Sequence, residues 1–480
     1  SFAIGWTGNW YADIGRDQNG VYIKAGRDKV NTYLRPGETL RSARVLACSF
    51  EGPDMQTGLN AFRRMMIRHI IPKKDGRPRF VPICYESAWK TSVNAVEKED
   101  REFLRAFADM SFEAVWFDAW YTRDGFPKGI GNYHFPISDI PDPVRYPHGI
   151  KPLTLAAKTL NRDVVMWFAP ETVSPGSFVA GEHPEWVMSV NGGKSGFFAL
   201  VDPEARRWMA DVLSACFREW KVDYFRTDSF TPEENLLAYM GENAPDRQGI
   251  AEDRFVCALY DFWDSLLERN PGLCIDNCAG GGTRLDPELM SRSICLWRSD
   301  SHVGQRDRNR NNILAQYLTC NLNPYIPWST GSCRWIEPYD IRSCFNGGLA
   351  MVCGPDLTRK EKLLAEKGFA ECRRLRKYLE GDFYPLRNPG PAADEWCIWQ
   401  YHRPEADDGF LVAFRRHEAP VFGTEASLAA VDENKTYRLD IYDTFDLRES
   451  RVVSGKELKR LRLVIEEAPG SLLVEYRPEK

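Results

Sequence analysis

No stretch of this 480-residue chain is uniformly apolar over the roughly 20 residues that a membrane-spanning helix needs. It has no long basic run, and its formal net charge is -5. Nucleic acid and membrane are therefore not expected partners. No two of the thirteen cysteines have CxxC spacing, so no zinc site or redox motif is signalled. Their odd, scattered occurrence does not suggest a disulfide framework either. Cys84, Cys274, Cys295 and Cys353 lie in apolar runs, where a free thiol acts as a small hydrophobe. This usage favours a reducing, cytoplasmic setting and leaves secretion open. There is no internal repeat, no low-complexity segment, and no segment of signal-peptide type. The chain begins at Ser1 rather than Met, and a fragment of a longer protein is an open reading.

What is present is a globular composition, 43% hydrophobic and 27% charged, with length for two or three domains. Aromatics make up 12%, including 15 Trp. Indoles stack well on sugar faces, although core packing is the commoner role of any single Trp.

Residues 1–72 read as short aromatic and β-branched strands followed by an amphipathic helix that Pro72 stops. From Arg79 strands and helices alternate. Eight strand candidates follow: Phe80–Tyr85, Ala114–Trp120, Val164–Phe168, Asp223–Asp228, Leu273–Cys278, Ser293–Asp300, Pro324–Trp328 and Leu349–Cys353. No Gly-rich dinucleotide fingerprint is present, and the doubly wound alternative loses its usual mark. The expected fold class is α/β: a (β/α)8 TIM barrel over residues 73–381, preceded by a partial N-terminal β-sandwich segment (1–72) and followed by a small antiparallel β-domain (382–480). Residues 121–149, rich in Gly, Pro, Asp and His, form a long loop after the second strand, on the face where barrels carry their chemistry.

The central stretch is Asp223–Phe230, DYFRTDSF. Tyr224, Arg226 and Asp228 share one parity and point the same way in a strand. The sixth strand ends in Trp297, Arg298 and Asp300. Two carboxylates across one pocket can serve as nucleophile and acid/base of a retaining glycosidase, or in a wider arrangement as the pair of an inverting one. A lone Asp at a strand end is more often a helix cap or an ion-pair partner. Here acids, Arg and Trp recur at the same end of successive strands: Trp116, Asp118 and Trp120; Trp167 and Glu171; Asp276, Asn277 and Cys278.

These motifs resemble those of glycoside hydrolase family 36, whose best-known members are retaining α-galactosidases. CAGGGTRLD (278–286) is similar to the family's CSGGGGRFD, and WRSDS (297–301) to its WTSDNTD. YFRTDSF resembles YIKWDMNR, WFAPE (167–171) resembles WFEPE, and HPEW (183–186) resembles HPDW. The resemblance implies Asp228 as nucleophile and Asp300 as acid/base. It implies a substrate-binding set of Asp118, Trp120, Trp167, Arg226, Asn277, Cys278, Trp297 and Arg298, with no metal or organic cofactor. Arg284 and Asp286 are expected to brace their loop. Family members usually carry a longer N-terminal sandwich, of which this chain would hold the last part.

Two departures bear on the substrate. Phe117 stands where the family has the first of two adjacent Asp, and Arg226 replaces its Lys. The expected activity is removal of terminal α-linked galactose, or of a deoxy- or amino-sugar relative, from an oligosaccharide or glycoconjugate. The arrangement is compatible with a homo-oligomer. A transglycosidase on the same scaffold and a non-catalytic carbohydrate-binding protein are the rivals. Product analysis with an acceptor sugar separates the first, and one hydrolysis assay the second.

Overall fold

The computed structural model describes residues 1–86, 95–189, 196–228, 241, 244–302 and 306–479; Ser229 and Phe230 of the central stretch lie outside the described residues. Eight parallel strands form one sheet. In chain order they are Ile83–Glu86, Ala114–Phe117, Asp163–Phe168, Tyr224–Thr227, Cys274–Asn277, Ser293–Ile294, Ser332–Cys333 and Leu349–Met351. Numbered one to eight, they pair in the order six-five-four-three-two-one-eight-seven. A parallel bridge between Trp297 and Thr330 joins strands six and seven and closes the ring. There the Thr330 N–H donates to Leu296 O at 2.9 Å. The strands are apolar along most of their length because inward side chains fill the barrel and outward ones meet the helices.

The seventh strand is not Pro324–Trp328, as the sequence pattern suggests. Pro324 and Pro327 cannot donate to a ladder. The Tyr325 and Ile326 N–H groups turn back to Leu322 O at the end of helix Arg308–Leu322. The apolar signal of this segment has another origin: Ile326 and Trp328 are packed in an inner cluster with Val81 and Ala350. Strands two and six are shorter than expected: Asp118 directly follows strand two, and Asp300 lies in a 3₁₀ turn well past the end of strand six at Ile294.

Capping fixes the helices. Asp202 accepts from the N–H groups of Glu204 and Ala205, ahead of Pro203 in the first turn of helix Pro203–Glu219. Thr358 and Glu361 form a capping box on helix Arg359–Leu375. Before the barrel, Phe2–Gly5 pairs with Arg44–Ala47, and Trp10–Asp17 pairs with Gly20–Arg27 in a hairpin. These two ribbons are tied to helix Ile250–Arg269 through Trp6 Nε1, which donates to Glu252 Oε1 at 3.0 Å, and through the Arg27–Asp253 ion pair at 2.7 Å. After the barrel, six antiparallel strands and a two-stranded ribbon enclose a separate core that includes Trp396, Leu411, Leu439 and Val474.

Arg63, on helix Met55–Met65, is fully buried where the first helix, the barrel and the C-terminal sheet meet. Its Nη1 donates to Asn323 O at 2.6 Å, its guanidinium reaches Pro327 O, and its Nε donates to Gly381 O at 3.1 Å. Replacing it leaves these carbonyls without a donor in a dry site. Arg63→Leu is expected to destabilise the chain by about 3 kcal/mol or more, read as a lowered midpoint in chemical denaturation. A change within about 0.5 kcal/mol would show that the contacts are dispensable.

Candidate active site

Alternation along strand four puts Tyr224 low in the barrel, Arg226 at mid-height and Asp228 at the mouth. Both oxygens of Asp228 are held. Oδ1 accepts from the Gly280 N–H at 2.9 Å, and Oδ2 accepts from Trp167 Nε1 at 3.2 Å. Asp300 lies in a short 3₁₀ turn beyond strand six and is exposed at the mouth. Its Oδ1 accepts from Trp297 Nε1 at 2.9 Å. Asp118 follows strand two, buried, and accepts from the Ala119 N–H at 2.7 Å.

Beneath them lies Arg226. Its Nη1 donates to Asp276 Oδ2 at 2.6 Å and its Nη2 to Cys278 Sγ at 3.0 Å. Its Cζ is 4.2 Å from the centre of the Trp116 ring, which meets Trp297 edge-on at 5.6 Å. Burial disfavours the guanidinium charge, yet Cys278 and the carboxylates of Asp276, Asp118 and Asp228 outweigh it and hold Arg226 protonated. Burial pushes the Asp118 carboxyl up to about 7, assisted by the charges of Asp228 and Asp300 and opposed by Arg226. Asp300 is raised too, by burial of its carboxyl and then by Asp228, against the Trp297 N–H and Arg226.

The loop after strand five brings the two acids into one unit. Gly280, Gly281 and Gly282 have φ of 65°, 81° and 78°, a left-handed run that side chains resist. A Cβ on Gly281 would lie 2.2 Å from the Asp300 nitrogen. The same loop therefore donates to Asp228 and packs directly on Asp300.

Of the residues expected to bind substrate, Asp118, Trp120, Trp167, Arg226, Cys278 and Trp297 surround this mouth or lie directly under it. Arg226 has both Nη atoms engaged by Asp276 and Cys278, so its fork is not turned to two sugar oxygens. Asn277 and Arg298 lie apart. Asn277 Nδ2 donates to Arg284 O and holds the glycine loop. Arg298 points behind strand six, donating to Thr319 Oγ1 and Ala315 O, each at 2.8 Å, and burial lowers its pKa to about 10. Its parity differs from that of Trp297, which turns inward. Glu171 and Arg284 form a buried ion pair at 2.9 Å that braces the loop, and Asp286 caps the next helix.

Phe117 is on the outer face of strand two, of one parity with Val115, and packs with the layer between sheet and helices. It does not replace a carboxylate in the pocket. The apolar wall of the mouth is formed by Trp120, Trp167 and Phe126. Phe126 meets both indoles edge-on, at 6.1 and 5.9 Å. Sequence reasoning passed over it because it lies in a long loop with no periodicity. Among the described residues no group of three or more His, Cys, Asp or Glu side chains is placed to hold a metal ion.

A family model described as Melibiase matches residues 59–328, more than half of the chain. The chain belongs to this family, within glycoside hydrolase family 36. Among curated relatives, it is 22% identical to α-galactosidase Mel36A of Lactobacillus acidophilus, over 96% of this chain and 63% of that protein. It is 25% identical to α-galactosidase AgaA of Geobacillus stearothermophilus, over 92% of this chain and 61% of the relative. The chain thus spans a little over three fifths of the length of these family members. Its fold superimposes on a crystal structure of a family-36 AgaA variant in complex with raffinose with a TM-score of 0.82, at 20% identity, covering 100% of this chain and 67% of the other. The α-galactosidase of Lactobacillus brevis gives a TM-score of 0.81 at 15% identity.

A carboxyl raised by folding binds its proton more tightly in the native state. Its contribution is complete below the unfolded value near 3.9 and is lost as pH rises through about 7. The native protein is therefore expected to lose on the order of 4 kcal/mol between about pH 4 and 8 on account of Asp118. Asp118→Asn should flatten that slope in denaturant titrations across pH. An unchanged slope would remove Asp118 as the titrating group.

Proposed function

We propose that this chain is a retaining glycoside hydrolase that releases terminal α-linked galactose from an oligosaccharide. The observation that carries the reading is the joint placement of Asp228 and Asp300. Each is oriented by an indole N–H, and one glycine loop binds the first and packs on the second. The names of the relatives, α-galactosidases throughout, and the raffinose complex of the AgaA variant support galactose as the sugar removed.

Asp228, deeper in the site, attacks the anomeric carbon, and the C–O bond to the leaving group breaks as Asp300 protonates that oxygen. A galactosyl ester of Asp228 results. Asp300, now a carboxylate, removes a proton from water, which displaces Asp228 and restores the α-configuration. The raised pKa of Asp300 suits the acid step, because its proton is retained at a pH where an ordinary Asp is ionised. Arg226 meanwhile counters the charge of Asp228 and Asp118.

Two measurements test this. Asp228→Ala should lose several orders of magnitude on an aryl α-galactoside, whereas Asp300→Ala should lose far less on a good leaving group than on raffinose. Added azide should restore turnover of the Asp300 variant and yield an α-galactosyl azide. An Asp228→Ala protein that keeps more than a tenth of wild-type rate, or an Asp300→Ala protein equally impaired on all leaving groups without azide product, would refute the roles. Separately, proton NMR of the first-formed galactose should show the α-anomer before mutarotation. Initial β-galactose would mean inversion and would exclude a covalent intermediate on Asp228.

A further inference from the structure

Phe126 has a ring that is 40% exposed and yet is fixed in place. It follows Asp124 and Gly125, whose φ angles of 65° and 66° turn the chain sharply. The backbone on both sides is tied down. The Gly125 N–H donates to Thr122 O at 2.9 Å, Arg145 Nη2 to the same oxygen at 2.8 Å, and Ser174 Oγ to Pro127 O at 2.7 Å. Asn132 Nδ2 donates to Arg123 O at 3.0 Å. The ring edge contacts to Trp120 and Trp167 place Phe126 two side chains from Asp228, since Trp167 is the indole that donates to that carboxylate.

The strand order gives this ring a direction. Strand two is four places from strand six in a ring of eight, directly across the mouth, and strand four lies midway. On the reaction proposed above, the leaving oxygen lies beside Asp300 of strand six, and the anomeric carbon beside Asp228. The transferred sugar then extends towards strands two and three. There it meets Asp118, a polar group, and the apolar corner of Trp120, Trp167 and Phe126. A galactopyranose presents hydroxyls along most of its rim, and its carbon-bound hydrogens are gathered on one face and at C5 and C6. Aromatic rings pack against those C–H groups and cannot replace the hydrogen bonds of a hydroxyl.

We infer that Phe126 is a specificity-determining wall of the sugar pocket, packing against the C5 hydroxymethyl edge of the galactosyl group that is transferred. The inference rests on the galactosidase reading. It distinguishes Phe126 from a platform for the leaving group, which would lie on the side of strand six, and from a mere support for Trp167.

The test uses Phe126→Ala and Phe126→Tyr with three substrates. α-Galactosyl fluoride has a leaving group too small to touch a loop. An aryl α-galactoside and an aryl β-L-arabinopyranoside differ only in that the second lacks C6. Phe126→Ala is expected to lose about tenfold in kcat/KM on both galactosyl substrates, mainly through KM, and less than about twofold on the arabinoside. Phe126→Tyr should retain most of the activity. Undiminished turnover of the fluoride by the Ala variant would overturn the inference. So would an equal loss on galactoside and arabinoside, or a fall confined to kcat, which would be the mark of a displaced Trp167 and Asp228. A wild-type protein inactive on all three substrates would instead reject the galactosidase reading, and with it this inference, before any variant is compared.

Discussion

The site depends on one buried cation. Arg226 is enclosed by the barrel, with Asp276 in direct contact and Asp118 and Asp228 close enough to raise its pKa. Bringing several carboxylates to one barrel mouth sets like charges against each other where water cannot screen them, and a carboxylate in such company takes up a proton. The guanidinium offsets that repulsion from below. It is held by Asp276 of strand five, by Cys278 just beyond that strand, and by the face of Trp116 on strand two. The Arg-for-Lys difference from the family motif also has a physical meaning: a planar fork can engage Asp276 and Cys278 together and still lie flat on an indole, whereas an ammonium is a point charge.

The glycine loop supplies the second constraint. Four successive residues with positive φ, Ala279 to Gly282, bring the backbone close to both carboxylates, and the lack of Cβ atoms at the three glycines makes the approach sterically possible. The surrounding scaffold keeps this loop in register: Asn277 holds Arg284 O, and Arg284 is paired with Glu171 from the end of strand three.

Much of this was legible in the sequence, for identifiable reasons. Strand four is legible to within one residue at each end, because its parity, its preceding capped helix and its terminal Asp all agree. The C-terminal sheet was legible from alternation. The seventh strand was not, because the apolar run at 324–328 owes its hydrophobicity to burial beside strand one, while its two prolines exclude a ladder there. Parity also determined which site readings stand. It turns Trp116 and Asp118 inward and Phe117 outward, so a motif substitution that looked like a change in the pocket is a change in barrel–helix packing. Arg298 and Asn277 stand at strand ends beside Trp297 and Cys278, yet adjacent residues of an extended chain face opposite ways. Phe126 could not be found from the sequence, because only the folded loop brings it against two indoles.

The indoles that orient the two acids have a further consequence. A tryptophan N–H can donate a hydrogen bond but has no lone pair with which to accept one. Neither Trp167 nor Trp297 can therefore relay a proton to or from the carboxylate it holds. Asp228 is bound on its other oxygen by a backbone amide, which is equally unable to exchange a proton in the catalytic cycle. Asp300, by contrast, has its remaining oxygen at the exposed mouth. Any proton that either acid exchanges must therefore pass to or from solvent or substrate, and Asp300 stands at the exposed mouth where that exchange is direct. Two chemically identical side chains thus differ in exposure and in partners: Asp228 is half-buried with both oxygens engaged, and Asp300 is exposed with Oδ1 held by an indole.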